Sequence, residues 1–361
     1  MSTRISPGLA ALLIALVAVL PSRADTKSAL TLWNDYVDAA ATAIRETNYT
    51  NALVLLKSAL QTAEELPPED PRRTFTRQIM WFVYREMGQD DEASKVLSTA
   101  TRLDVSKFDA SLAPFSNTLD RLANTFYERY DSKKKGDPHY VLSERCLLLE
   151  SAIRQRALPK SDTRTASTLG FFGLVLMKQY KLEDAAKRFE EALDLWEAQA
   201  KRVAGLGESR ISLFQVEASD MEGRGDNPIV SAILLARTYR WMGDDLKEKK
   251  ETQKSAEMYQ KAERRYKDVL QAWEAAWPIH RNTARASGEL GTLYLAQERY
   301  ALAEPALRKS LAMFEAVEGP DGTDLPYFAG ELAKVLRKNN HASEADAIER
   351  RFKVKKPDTE N

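Results

Sequence analysis

The chain has 361 residues, and its 53 lysines and arginines are matched by 53 aspartates and glutamates. That balance argues against nucleic acid as a partner, because neutralising phosphates needs a surplus of positive charge. Apolar residues at 43% and charged residues at 29% describe a soluble folded body, and the lone Cys146 excludes an internal disulfide and any multi-cysteine metal site.

The N-terminus reads as an address. A short positive stretch ending at Arg4 precedes an apolar run, Leu9 to Leu20, and then Pro21-Ser22-Arg23-Ala24. Ser22 and Ala24 place small residues at −3 and −1 of a cleavage site after Ala24. Twelve helical residues span roughly 18 Å against a hydrocarbon core of ~30 Å, so no stable membrane span is expected once the leader is cut. Cleavage would leave 51 basic against 53 acidic residues. The expectation is a signal peptide over 1–24 and a periplasmic or secreted protein.

From Asp25 onward helical periodicity dominates and strand-like alternation is scarce. A recurring marker opens every second helix: a small residue, an apolar residue four later and a small residue seven later. Ala52, Leu56 and Ala59 fit it, then Ala93, Leu97 and Ala100, then Ala185, Phe189 and Ala192. Ala303, Leu307 and Ser310 follow, and Ala345 closes the series with Glu349 and Phe352 in the later slots. The third unit carries a lysine-rich turn over 131–138, and its second helix aligns on Ser143 or Arg145, with Ser143 favoured. In the fifth, Gly243 reads as a helix C-cap, a charged stretch over 244–254 delays the second helix, and Ala262, Tyr266 and Val269 fill the slots. A long connection over 205–227 contains an apolar patch, Ile211 to Val216. The last two units align with each other at an offset of 42 residues: Leu290 on Leu332, Gly291 on Ala333, Tyr294 on Leu336 and Ala303 on Ala345. A unit with an apolar face that it cannot bury alone must stack on copies of itself.

This pattern, clearest in LGTLYLAQERYALAEPALRKSL (290–311) and LAKVLRKNNHASEADAIERR (332–351), resembles the tetratricopeptide repeat in its kinesin-light-chain-like spacing. Trp81 departs from the family pattern, standing where glycine or alanine is usual. The resemblance implies an all-α, right-handed α-solenoid of about seven stacked helix-turn-helix units over 25–354, with a tail over 355–361. It also implies that an inner face holds peptides or protein segments.

Chemistry is sparse. His139, His280 and His341 lie far apart, and none has a second metal ligand at helical spacing. The chain holds no glycine-rich phosphate loop and no GxSxG elbow, so no catalytic residue, cofactor site or metal site is assigned and no enzyme is expected. Cys146, among Leu147, Leu148 and Leu149, reads as a small buried hydrophobe ahead of a reactive thiol. The aromatic residues fall mostly on apolar helix faces and read as core ahead of ligand platforms. Asn48-Tyr49-Thr50 matches a glycosylation acceptor.

In the resembled family, residues one, four and five beyond the small slot of each first helix point inward. Counted from Ala236 these are Arg237, Arg240 and Trp241; from Ala333 they are Lys334, Arg337 and Lys338; from Trp81 they include Phe82, Arg85 and Glu86. A basic, aromatic groove of that kind suits an acidic or carboxylate-bearing partner segment. Ordinary solvated charges are the alternative. Two functions remain open at this stage: an exported scaffold that binds a peptide or protein segment, or an obligate structural subunit of an envelope or secretion assembly. The oligomeric state is not legible.

Overall fold

The computed structural model describes residues 28–99, 113, 115–129, 139–160, 162–205, 227–276 and 278–354. The expected leader, the 131–138 turn, the Ile211–Val216 patch, Ala100 and the tail lie outside these residues. Among the described residues all regular structure is helical, and no helix is long and apolar enough to cross a membrane. The chain divides into two compact units, Met1–Lys107 and Phe108–Asn361.

The first unit holds α1 (Ala29–Arg45), α2 (Tyr49–Ala63), α3 (Pro71–Glu86) and α4 (Asp90–Ser98). The second holds α5 (Ser116–Glu128), α6 (His139–Ala157), α7 (Thr163–Lys178), α8 (Leu182–Gly205) and α9 (Pro228–Glu248). It continues with α10 (Thr252–Ala276), α11 (Arg281–Ala296), α12 (Tyr300–Glu318), α13 (Leu325–Lys338) and α14 (Ala342–Arg351). Within each unit every helix packs on the next, and in the second α7, α9, α11 and α13 also lie side by side. The described helices thus form helical hairpins of solenoid type, two in the first unit and five in the second, and in the second the first helices α7, α9, α11 and α13 make one layer.

Helix starts follow local chemistry. Asp70 and Asp162 accept from the backbone N–H of Arg72 and Arg164 at 2.9 Å, and Asn227 accepts from Ile229 and Val230 at 3.1 and 2.9 Å. Pro71 and Pro228 follow their caps at the first helical position, where a missing N–H leaves nothing unpaired. The glycosylation-like Asn48 serves as the cap of α2, accepting from Asn51 N at 3.2 Å.

The turns inside the hairpins repeat closely. Thr47, Gly88, Tyr180, Lys250, Glu298 and Asn340 each adopt positive φ. The residue after each donates its N–H to the carbonyl five back, from Asn48 to Ala43 at 2.9 Å through His341 to Leu336 at 2.8 Å. This is the closing bond of a Schellman motif, which satisfies a carbonyl that the ending helix leaves open. Five residues beyond each positive-φ position stands a buried small residue: Ala52, Ala93, Ala185, Ser255, Ala303 and Ala345.

That spacing corrects the fifth hairpin. Its slots are Ser255, Tyr259 and Ala262, rather than Ala262, Tyr266 and Val269, and Gly243 lies inside α9 instead of capping it. The stretch over 244–254 is no insertion, because it forms the end of α9, a tight turn and the start of α10. A Cβ on Gly243 would come within 2.7 Å of the Tyr259 ring, as one on Gly173 would meet Phe189 at 2.8 Å and one on Gly291 would meet Leu307 at 2.6 Å. The error was seven residues, close to two helical turns, so both registers bury the same face and periodicity could not separate them.

Ser143 is the slot of the third hairpin. Its Oγ donates to the Ala123 carbonyl at 2.8 Å, and the Ser255 Oγ makes the same bond to Gly243 at 2.8 Å. The second hairpin departs from the pattern, since Leu97, expected inside, is 43% exposed. Trp81 stands in the slot where the other hairpins carry glycine or alanine. In the last hairpin Glu349 replaces the buried apolar residue and binds Arg337 at 2.6 and 2.9 Å.

Candidate functional site

The first-helix layer of the second unit carries a cavity of about 380 Å3 between α9, α11 and α13. Its walls are Arg237, Arg240 and Trp241 from α9, Arg285 and Glu289 from α11, and Asp324, Tyr327 and Phe328 at the start of α13. Spacings of three and four residues put each set on one helix face. Arg237, Arg285 and Tyr327 are equivalent positions, each six residues before the small slot at Gly243, Gly291 and Ala333.

Every charge in the wall is engaged to a different degree. Glu289, 2% exposed, accepts from Arg237 and, through Oε2, from the Tyr266 hydroxyl at 3.2 Å. Burial pushes the Glu289 carboxyl upward, but Arg237 and Arg240 outweigh it and hold the group below its ordinary range. Burial, with Glu289 beside it, pushes the Tyr266 hydroxyl well up. Arg285 holds Asp324 at 2.7 Å, and Arg281 approaches the same oxygen at 3.4 Å. Arg240 is looser: its Nη1 lies 3.3 Å from Asp244, which also accepts from Tyr259 at 2.7 Å. The buried Arg240 Nε makes no hydrogen bond to the described residues. On the neighbouring hairpin, burial and the nearby Arg237 hold the Lys178 ammonium below its usual range. Tyr180 stacks on Trp241 at 6.2 Å and donates to Asp245 at 2.5 Å, extending the aromatic wall toward α7.

The structure brings Arg237, Arg240 and Trp241 together and leaves the other expected residues elsewhere. Lys334 pairs with Glu331 at 2.6 Å, Arg337 is clamped by Asp346 and Glu349 of its own hairpin, and Lys338 is exposed. Arg85, in the first unit, lies over the Trp81 ring at 5.8 Å and 3.3 Å from Asp90. Sequence reasoning missed Arg285, Glu289, Asp324 and Tyr327. The signal for Arg285 and Tyr327 was the column they form with Arg237, which appears only in the corrected register. Among the described residues no group of three or more His, Cys, Asp or Glu is placed to hold a metal.

Models of the tetratricopeptide repeat match residues 165–198 and 253–316, which cover the α7–α8 hairpin and the run from α10 into α12. No curated protein matches the sequence significantly. Solved structures similar to the chain include tetratricopeptide-like repeats of a kinesin light chain-type protein of Podosopora anserina, at 13% identity and TM-score 0.39, covering 81% of this chain and 99% of that one. A signal transduction ATPase with a tetratricopeptide repeat sensor from Pyrococcus horikoshii matches at 13% identity and TM-score 0.44, over 87% of this chain and 40% of that one. Aspartyl phosphate phosphatase F from Bacillus subtilis matches at 11% identity and TM-score 0.45, over 91% and 75%. With two matching repeat models and hairpins that share one turn and one small-residue slot, the chain is a tetratricopeptide-repeat protein.

Proposed function

We propose that this protein is an exported, non-enzymatic scaffold that holds a peptide or protein segment against the first-helix layer of its second unit. The observation that carries the reading is the cavity between α9, α11 and α13, where three guanidinium groups meet Trp241, Tyr327 and Phe328. Arginine donates paired hydrogen bonds to carboxylates, and aromatic walls cover the apolar part of a bound segment, so an acidic or carboxylate-bearing partner suits the site. Export rests on the leader-like stretch over 1–24 and the small residues before position 25.

The test is a pull-down from the native envelope fraction with the parent, Arg240→Glu and Trp241→Ala. Arg237 is left intact, because replacing it would strand Glu289. Loss of the captured partner in variants that melt like the parent supports the groove, and unchanged capture removes it. Purification as a stable free species is expected of an adaptor, whereas aggregation without one stoichiometric partner would favour an obligate subunit. N-terminal sequencing of the exported protein should begin at Asp25.

A further inference from the structure

We infer that a groove between the second helices α6 and α8 is the docking site for residues 210–217 of this same chain. The groove is separate from the cavity between α9, α11 and α13, and the inference stands whatever that cavity holds.

The groove has a volume of about 460 Å3. Leu158 beyond α6, Leu169 on α7 and Leu195 on α8 line it. The apolar surface continues along α6, because Val141 and Leu148 share a face with the lining Gln155 at seven-residue spacing and are 41% and 37% exposed. Three charged side chains also line the groove: Lys160 on the turn into α7, and Glu191 and Asp194 on α8. Glu191 is answered by Arg188 at 2.8 Å. Close by, Asp162 is held by Arg164 at 2.7 Å, and Arg156 donates to the Ala152 carbonyl at 3.2 Å. Lys187 and Glu197, both exposed on α8, lie outside the lining and are of opposite sign. Lys160 and Asp194 are exposed, and among the described residues neither side chain has an ion pair or a hydrogen bond. The groove therefore offers an apolar floor with one unanswered cation and one unanswered anion.

The complement of that floor stands in the sequence, in a stretch outside the described residues. Arg210-Ile-Ser-Leu-Phe-Gln-Val-Glu217 puts one cation before an apolar run and one anion after it, with four apolar side chains in the six residues between. Arg210 suits Asp194, Glu217 suits Lys160, and Ile211, Leu213, Phe214 and Val216 suit the leucines. Chain length permits the match. Eleven residues of helix carry the chain from Asp194 to Gly205, a rise of about 16 Å, and the five from Leu206 to Arg210 span up to about 17 Å. A segment returning along α8 thus brings Arg210 level with Asp194. Ten further residues, up to about 34 Å, lead from Glu217 to Asn227, the cap of α9. The short tether sets a local concentration on the order of millimolar, which a separate partner has to exceed.

The experiment follows chymotrypsin cleavage after Phe214 in the purified full chain, since cleavage tracks the population of undocked segment. Asp194→Arg and Arg210→Asp should each speed cleavage roughly fivefold, the size of one charge contact at an exposed rim. Combined, they should restore the parent rate, because the pair is re-formed with its signs exchanged. All three variants should melt like the parent, and should one not fold, Lys160→Glu with Glu217→Lys makes the same cycle from the other end. Single variants cleaved at the parent rate overturn the inference, and so does a double variant cleaved as fast as the singles. Protection that is lost on dilution of the parent assigns the segment to the groove of a second copy, which overturns docking within one chain.

Discussion

Arg237 of α9 donates to the buried carboxylate of Glu289 on α11, joining two hairpins across 52 residues of sequence. Burying one charge of such a pair without the other is costly, so Glu289→Ala should lower stability by roughly 3–5 kcal/mol. The lower end is expected, because Arg237 keeps 26% of its side chain in contact with solvent. Arg237→Met combined with Glu289→Leu should cost less than either change alone, since no stranded charge remains. Urea unfolding of the three variants decides it, and additive losses would show that the two residues do not act as a pair.

Three glycines let first and second helices touch. Gly291→Leu drives a side chain into Leu307 and should cost roughly 1–3 kcal/mol, partly offset because leucine is about 1 kcal/mol better than glycine in a helix. Gly243→Leu should behave alike, because its Cβ would meet the Tyr259 ring. Thermal melting at or above the parent in the second variant would remove the register assigned to the fifth hairpin.

His280 caps α11 by accepting from Asn282 N through Nδ1 at 3.1 Å, and it lies 4.6 Å from Trp273. An accepting ring nitrogen must be unprotonated, and burial lowers the group from its ordinary 6.5. The unfolded chain therefore binds the proton more readily than the folded one. The contribution is whole above pH 6.5 and is lost as pH falls through the lowered value. The melting temperature should drop between pH 7 and pH 5, and His280→Asn, which caps without titrating, should flatten that drop. An identical slope in both proteins would sink the assignment.

Cys146 lies inside α6 at 2% exposure, and burial pushes its thiol far above the ordinary range. Thiol reagents should leave it unmodified in native protein and label it once urea unfolds the chain, because the thiolate is the reacting form. Rapid labelling of folded protein would place the sulfur in contact with solvent.

Most of the hairpin architecture was legible in the sequence, because the small-residue slot reports a contact only ten or twenty residues long. Ala52, Ala185, Ala303 and Ala345 each sit where one helix must approach its immediate partner, and Ser143 took the slot expected of it. The fifth hairpin was misread by two turns. Its true slot is a serine, and alanine, tyrosine and valine seven residues on imitate the pattern on the same face.

The candidate site was legible only in part, and physics explains the division. A helix face is set by spacing along the chain, so Arg237, Arg240 and Trp241 could be grouped from sequence alone. Whether a charge is free or already answered depends on residues brought near by stacking. Glu289 lies a hairpin away from Arg237, and Asp324 lies 39 residues from Arg285. No local pattern announces that Glu289 and Asp324 neutralise two of the three arginines, nor that Arg337 is bound within its own hairpin. The chain by itself determined repeated helix pairs, since a one-sided apolar helix can be buried only against a neighbour. Tertiary packing alone decided which guanidinium keeps an open donor.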